Sequence, residues 1–245
     1  MDKSEIETSL LIGIPVRLND KFDFIVPQMK KIFEVNFDYL MNAVNVVYDL
    51  NYAIYKNKQI NDIIEENNFG SYDTWQLVIL LEGETKTDHL ISYLTKCLSI
   101  HLNEEAYIDE EKGIMVGDKS FTKEDYEELC RILKIAYGLE ERIEDRQFGS
   151  KAARRKAIEM RLNRNEINLI ESKTNSFLYQ ILSVLKTKKS DEEIQNSNLF
   201  QLIDLYKRIN KEKDYDSLMT GVYTGNVDVK KIDISKRHWT SKLDN

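Results

Sequence analysis

The sequence predicts a mainly α protein with small β-hairpins, an α+β, helical bundle-like architecture. Three observations carry this. Only two prolines and nine glycines interrupt 245 residues, so helices joined by short polar turns should dominate. Most long segments repeat apolar residues at spacings of three and four. Two short segments instead alternate apolar and polar residues around turn-forming ones. With 42% hydrophobic and 31% charged residues, the chain has ample material for a core.

The first alternating segment is 10–26, "LLIGIPVRLNDKFDFIV". Ile12, Ile14, Val16 and Leu18 alternate, Asn19-Asp20 turns, and Phe22, Phe24 and Val26 alternate again, as in a β-hairpin. Pro15 makes its strand an edge, and Pro27 is expected to open a helix. Helical spacing follows through Met29, Ile32 and Phe33, then Phe37, Leu40, Met41, Val44 and Val47, with a break expected near Asn36. Ile60, Ile63 and Ile64 mark a short helix. Ser71 or Asp73 is a candidate cap for a helix carrying Trp75, Leu77, Val78, Leu80 and Leu81. A further helix is expected through Leu90, Ile91, Leu94, Leu98 and Ile100.

Residues 106–118 read as a second hairpin, with Tyr107 and Ile108 pairing Ile114 to Val116 across a turn containing Gly113. Thr122 and Asp125 resemble a capping box ahead of Tyr126, Leu129, Cys130 and Leu133. Beyond a charge-dense segment, Ile167, Ile170, Phe177, Ile181 and Leu185 predict one helix, and Leu199, Leu202, Ile203, Tyr206 and Ile209 another. The two are expected to pack as an αα-hairpin, with "KTKKSDEEIQNSN" as the turn.

Charge divides the chain. Residues 1–150 hold 16 Lys+Arg against 29 Asp+Glu, a net −13; residues 151–245 hold 19 against 13, a net +6. The expected organisation is an acidic N-terminal α+β domain over 1–148 and a basic C-terminal helical module with an extended tail over 149–245. The asymmetry marks two modules or one module with a distinct interaction surface, unless the halves complement each other across their own interface.

The apolar runs are far shorter than the ~20 residues of a membrane span. The polar, acidic "MDKSEIETS" is not a signal peptide, so a cytoplasmic protein is expected. Cys97 and Cys130 read as reduced, buried thiols.

Chemistry-bearing motifs are absent from the sequence. There is no phosphate-cradling glycine loop and no zinc signature. Adjacent acids such as Glu65-Glu66 and Glu127-Glu128 diverge on a helix rather than converge. His89, Cys97 and His101, spaced eight and four, fall on one side of a helix, but two surface histidines and a core cysteine explain them better than a metal site. No enzyme, cofactor or metal is expected.

Two segments stand out as partner surfaces. One is the basic helix expected at 151–164, with Lys151, Arg154, Arg155 and Arg161. Six positive charges against Glu159 alone suit phosphate groups. Interleaved stacking rings are few, so nucleic acid is disfavoured and a solvated helix paired with the preceding acids preferred. The other is the tail "GNVDVKKIDISKRHW", with Val227, Val229, Ile232, Ile234 and Trp239. Val227 and Val229 share one face, Ile232 and Ile234 another register, with a bulge expected at Lys230-Lys231. It reads as two extended pieces, either a β-ribbon closing on the chain's own helices or a docking tail.

The order of these elements resembles a family. The proline-led "FDFIVPQMKKIFEV", the aromatic-led "FGSYDTWQLVILL", the hairpin-helix "YIDEEKGIMVGDKSFTKEDYEELCRIL" and the terminal "YDSLMTGVYTGNVDVKKIDISKRHW" are similar to phage proteins of Gram-positive bacteria that are encoded among tail genes. These are described as tail assembly chaperone-like or as tail-associated. The resemblance implies a non-enzymatic role in the host cytoplasm, binding the tape measure or tail tube protein during tail assembly. It brings no catalytic residues. Two other roles stay open: a structural component of the virion tail, with self-association, and a phage nucleic-acid-associated protein acting through 151–164.

Overall fold

The computed structural model describes residues 1–50, 53–54, 66, 74–80, 88–109, 111–139, 142, 156, 160, 177–227, 232–238 and 240–241. It is mainly α with two small antiparallel sheets, as the sequence predicts.

The chain begins with a helix that the sequence reading did not expect. Helix α1, Lys3–Ile12, starts at a capping box in which the Asp2 carboxylate accepts from the Glu5 amide and Glu5 returns the favour to the Asp2 amide. Ile6 and Leu10, one turn apart, form its buried face. It stops at Gly13, whose φ of 78° is the left-handed conformation that glycine takes without strain. The expected first strand is therefore corrected. Ile12 ends the helix, Ile14 is 51% exposed, and only Val16–Arg17 pair as β1. Their partner is β2, Asp23–Phe24, in the register Val16↔Phe24. The turn falls where expected, with Asn19 Oδ1 accepting from the Lys21 and Phe22 amides.

Helix α2, Met29–Val35, begins two residues after Pro27, a second correction. Gln28 stays extended because it bridges to Asn198, and the Met29 amide donates to the Ser197 carbonyl at 2.9 Å. The predicted break is Asn36 itself. At φ 79° it ends α2 and caps α3, Phe37–Tyr48, accepting from the Asp38 and Tyr39 amides. Helix α4 spans Thr74–Leu80, with Leu77 and Val78 buried; its expected caps, Ser71 and Asp73, lie outside the described residues.

Helix α5, Asp88–Leu102, packs against α3 to form the centre of the core, where Leu40, Val44 and Val47 meet Leu94 and Leu98. The second hairpin pairs the predicted residues, but Gly113 opens the second strand opposite Asp109 instead of lying in the turn. Strand β3, Ala106–Asp109, pairs with β4, Gly113–Val116, as Tyr107↔Met115 and Ile108↔Ile114. A short β5, Lys119–Ser120, adds a third strand. The predicted capping box at Thr122 and Asp125 is formed and opens α6, Lys123–Tyr137. Asp125 does more than cap. It also accepts from Asn19 Nδ2 and lies 3.5 Å from Lys21 Nζ, tying the first hairpin to α6. Tyr126 donates to the Val47 carbonyl at 2.9 Å, tying α6 to the end of α3.

In the C-terminal half, α7, Phe177–Leu185, packs on α9, Leu199–Tyr223, as the expected helical pair. The connection is not a plain turn. Ser190 and Glu193 form a capping box for α8, Asp191–Asn196, and Ile194 buries itself on the α2 side. Asn198 and Gln201 cap α9 and reach across to α1: Asn198 Nδ2 donates to the Leu10 carbonyl at 3.1 Å and Gln201 Nε2 to that of Leu11 at 2.9 Å. One capping box thus satisfies orphan groups of two helices. Ile181, Leu185, Leu199, Leu202 and Ile209 belong to the same continuous core as α1 to α6. The expected division after residue 148 falls among residues outside the described ones.

The tail corrects a further expectation. Ile234 is not in a strand: Ile234–Arg237 form a single helical turn, α10, capped by Asp233. An Asp-capped turn of local hydrogen bonds satisfies the backbone here without a strand partner.

Candidate functional site

The first candidate cluster is internal. His101 sits at the end of α5 and is fully buried, as is Cys97 one turn earlier, so the expectation of a surface histidine there is overturned. The reason is local packing: Phe24 from β2 stacks on the imidazole at 5.2 Å, and the Ile25 amide donates to the His101 carbonyl. His101 Nδ1 lies 2.8 Å from the Cys97 carbonyl, which only accepts, so Nδ1 carries the ring proton. Nε2 then accepts from the Tyr137 hydroxyl of α6 at 2.6 Å.

Burial lowers the His101 pKa to about 4, against the raising effect of the Cys97 carbonyl bond. Burial pushes the Cys97 thiol up, and the nearby Cys130 adds to it; burial also raises the Tyr137 hydroxyl. A neutral imidazole, a protonated thiol and a protonated phenol, sealed from water, make a structural network that joins β2, α5 and α6. They are not an activated nucleophile and base. Among the described residues no group of three His, Cys, Asp or Glu side chains is placed to hold a metal, and the His89 side chain lies outside the described ones.

Of the predicted partner residues, Lys151, Arg154, Arg155 and Arg161 lie outside the described residues, as do Val229 and Trp239. Within the basic segment Lys156 and Met160 are described, and both are exposed. Val227, Ile232 and Ile234 are half-buried. The start and end of the tail turn back onto the far part of α9. Val227 Cγ2 lies 2.8 Å from where a Cβ would stand on Gly221, so only glycine admits it there. The His238 ring meets Tyr215 edge-on at 5.0 Å, and Lys211 reaches the Ser241 carbonyl.

The surface feature that sequence reasoning missed is a cleft of about 350 Å³ between α1 and α9, closed at one end by the C-terminus of α6. Ser4, Glu7, Thr8 and Leu11 line one wall; their spacing of three, one and three makes them one helix face. Phe200, Ile203, Asp204 and Lys207 line the other, again a single face. Because Asn198 and Gln201 bond the last carbonyls of α1, the start of α9 meets the end of α1 and the two run antiparallel. The apolar end of the cleft is formed by Leu11 and Phe200. The charges lie at the other end, where Arg208 holds Asp204 at 2.8 Å and Lys3 holds Glu7 at 3.5 Å. The sequence signal for this site is the α1 face of Ser4, Glu7, Thr8 and Leu11, which the period-two spacing of residues 10–18 masks.

What the fold defines is a mainly α protein whose C-terminal helical pair is docked on an α+β body by reciprocal caps. Residues 172–244, the stretch that includes this pair and the tail, match the family described as YomV second domain, a phage-associated family, and point to a phage-derived protein. No curated protein and no solved structure matches the chain. Among the described residues no helix is long and apolar enough to cross a membrane.

Proposed function

We propose that this chain is a phage tail morphogenesis factor. It binds the tape measure or tail tube protein during tail assembly in the host cytoplasm and is not an enzyme. The observation that carries the reading is the open cleft between α1 and α9, apolar at one end and charged at the other, as a groove for an amphipathic helix would be. One wall comes from α9, which lies in the stretch similar to a phage-associated domain.

Affinity purification of the full chain from infected cells tests this. Recovery of tape measure or tail tube protein, with the chain missing from finished particles, is the expected result. Retention in purified virions would make it a structural tail component instead. Recovery of replication proteins without tail proteins would overturn the reading.

A further inference from the structure

We infer that the α1–α9 cleft receives an amphipathic helix of a tail protein, with apolar residues against Leu11, Phe200 and Ile203 and a carboxylate on Lys207. This rests on the proposed function and assigns it a surface and a partner chemistry. The first argument is shape. Two antiparallel helices present one face each across the trough, and a third helix completes such a pair by burying the apolar floor that they leave half-covered.

The second argument is charge. Glu7 is held by Lys3 and Asp204 by Arg208, so both carboxylates are already neutralised. Lys207 is exposed and, among the described charged residues lining the cleft, makes no hydrogen bond or ion pair. The unspent charge of the cleft is therefore positive, and it stands one turn along α9 from Ile203. A helix fitting both features carries an apolar stripe with an Asp or Glu just beyond its end.

The third argument concerns the apolar margin. Leu11 is 40% exposed and Phe200 and Ile203 are only half-buried, so the apolar residues lining the cleft are open to a partner. A stripe that begins on Leu11 and Phe200 and ends at Lys207 follows the apolar residues of the cleft to its unpaired charge.

The probes are overlapping helical peptides covering the tape measure and tail tube proteins of the same phage, titrated by fluorescence anisotropy against the full chain. The wild-type chain should bind peptides with an acid-flanked apolar stripe. Ile203→Glu should weaken them by more than about tenfold. Lys207→Glu should weaken them by about twofold to fivefold, and exchanging the peptide's acid for lysine should restore binding. Circular dichroism confirms that both variants are folded.

Cys97 and Cys130 are buried, so Ile203→Cys would supply a thiol that maleimide reaches first. Fast labelling that a bound peptide blocks is expected. Slow labelling of the chain alone would overturn the inference, and sedimentation would then tell a second copy from a segment of the same chain. Undiminished binding of tail proteins to Ile203→Glu would also overturn it while leaving the proposed function standing. Failure of the wild-type chain to capture any tail protein would sink that function itself.

Discussion

Residues Leu199 to Ile209 and residues Asn210 to Tyr223 belong to one helix, yet their surroundings differ throughout. The first stretch buries Leu199, Leu202 and Ile209, caps itself with Asn198 and Gln201, and satisfies the end of α1 with the same two side chains. The second stretch buries none of its side chains. Its packing partner is the half-exposed tail, through Gly221, Tyr215 and Lys211. Fully burying a leucine stabilises by about 1.5–3 kcal/mol, so the first stretch is anchored several times over. The second is held by contacts that water still reaches. Burial is thus divided along a single helix: the near half builds the body and one wall of the cleft, and the far half has no fully buried side chain.

The largest effect that tests this contrast is a cavity in the near half. Leu202→Ala should cost about 2–5 kcal/mol, because Leu202 is fully buried and the core around it is continuous. Leu218→Ala in the far half, where Leu218 is only half-buried, should cost less, about 1 kcal/mol. Urea denaturation of the two variants measures both. Equal losses would mean that the far half is as well packed as the near half.

Acid should act on the body and spare the far half. His101 is neutral in the fold, with a pKa of about 4 against an ordinary 6.5. Above pH 6.5 neither state takes up its proton and the full stability is present. As pH falls from 6.5 to 4 only the unfolded state is protonated, so stability declines, levelling at a loss of about 3 kcal/mol. His101→Gln should flatten that slope in a series of urea midpoints across the window. An unchanged slope would assign the acid sensitivity elsewhere.

A smaller loss is expected at the seam. Asn198→Ala removes the α9 cap and leaves the Leu10 carbonyl with only the 3.3 Å bond from the Gly13 amide, which should cost about 1–2 kcal/mol. Amide exchange should quicken at the end of α1 as well as at the start of α9. Exchange that changes in α9 alone would show that the cross-helix bond contributes little.

The smallest effect belongs to the tail. Gly221→Ala places a methyl where Val227 sits but gains up to about 1 kcal/mol of helix propensity. The expected result is unchanged or slightly higher stability, with faster proteolysis of the displaced tail. A loss above that range would make the tail a structural closure rather than a light cover.

Much of the local architecture is legible in residue order. Asn36 breaks α2 from α3, Thr122 and Asp125 form their capping box, and Tyr107 and Ile108 face Met115 and Ile114 as alternation requires. The errors share a cause. Ile12 and Ile14 alternate with Val16 and Leu18, but the Asp2–Glu5 capping box and Gly13 outweigh that pattern and make α1 a helix. Ile232 and Ile234 alternate too, yet Asp233 caps a helical turn. In both places a short polar side chain bonded to a nearby amide decides against period-two hydrophobicity. The predicted basic partner residues lie outside the described residues, and the cleft is built on α1, which period-two spacing over residues 10–18 does not predict.

By itself the sequence determined the helix-rich class, the turn at Asn19, the break at Asn36 and the helices through α3, α5, α6 and α9. Each rests on interactions within a few residues, so spacing and caps specify it. Only the tertiary structure decided that His101 is sealed between Phe24 and Tyr137, that Gln28 bridges to Asn198, and that α1 and α9 frame a cleft. These contacts join residues far apart in the chain, where hydrophobic burial selects the partners and the polar groups pair with whatever that burial brings within reach.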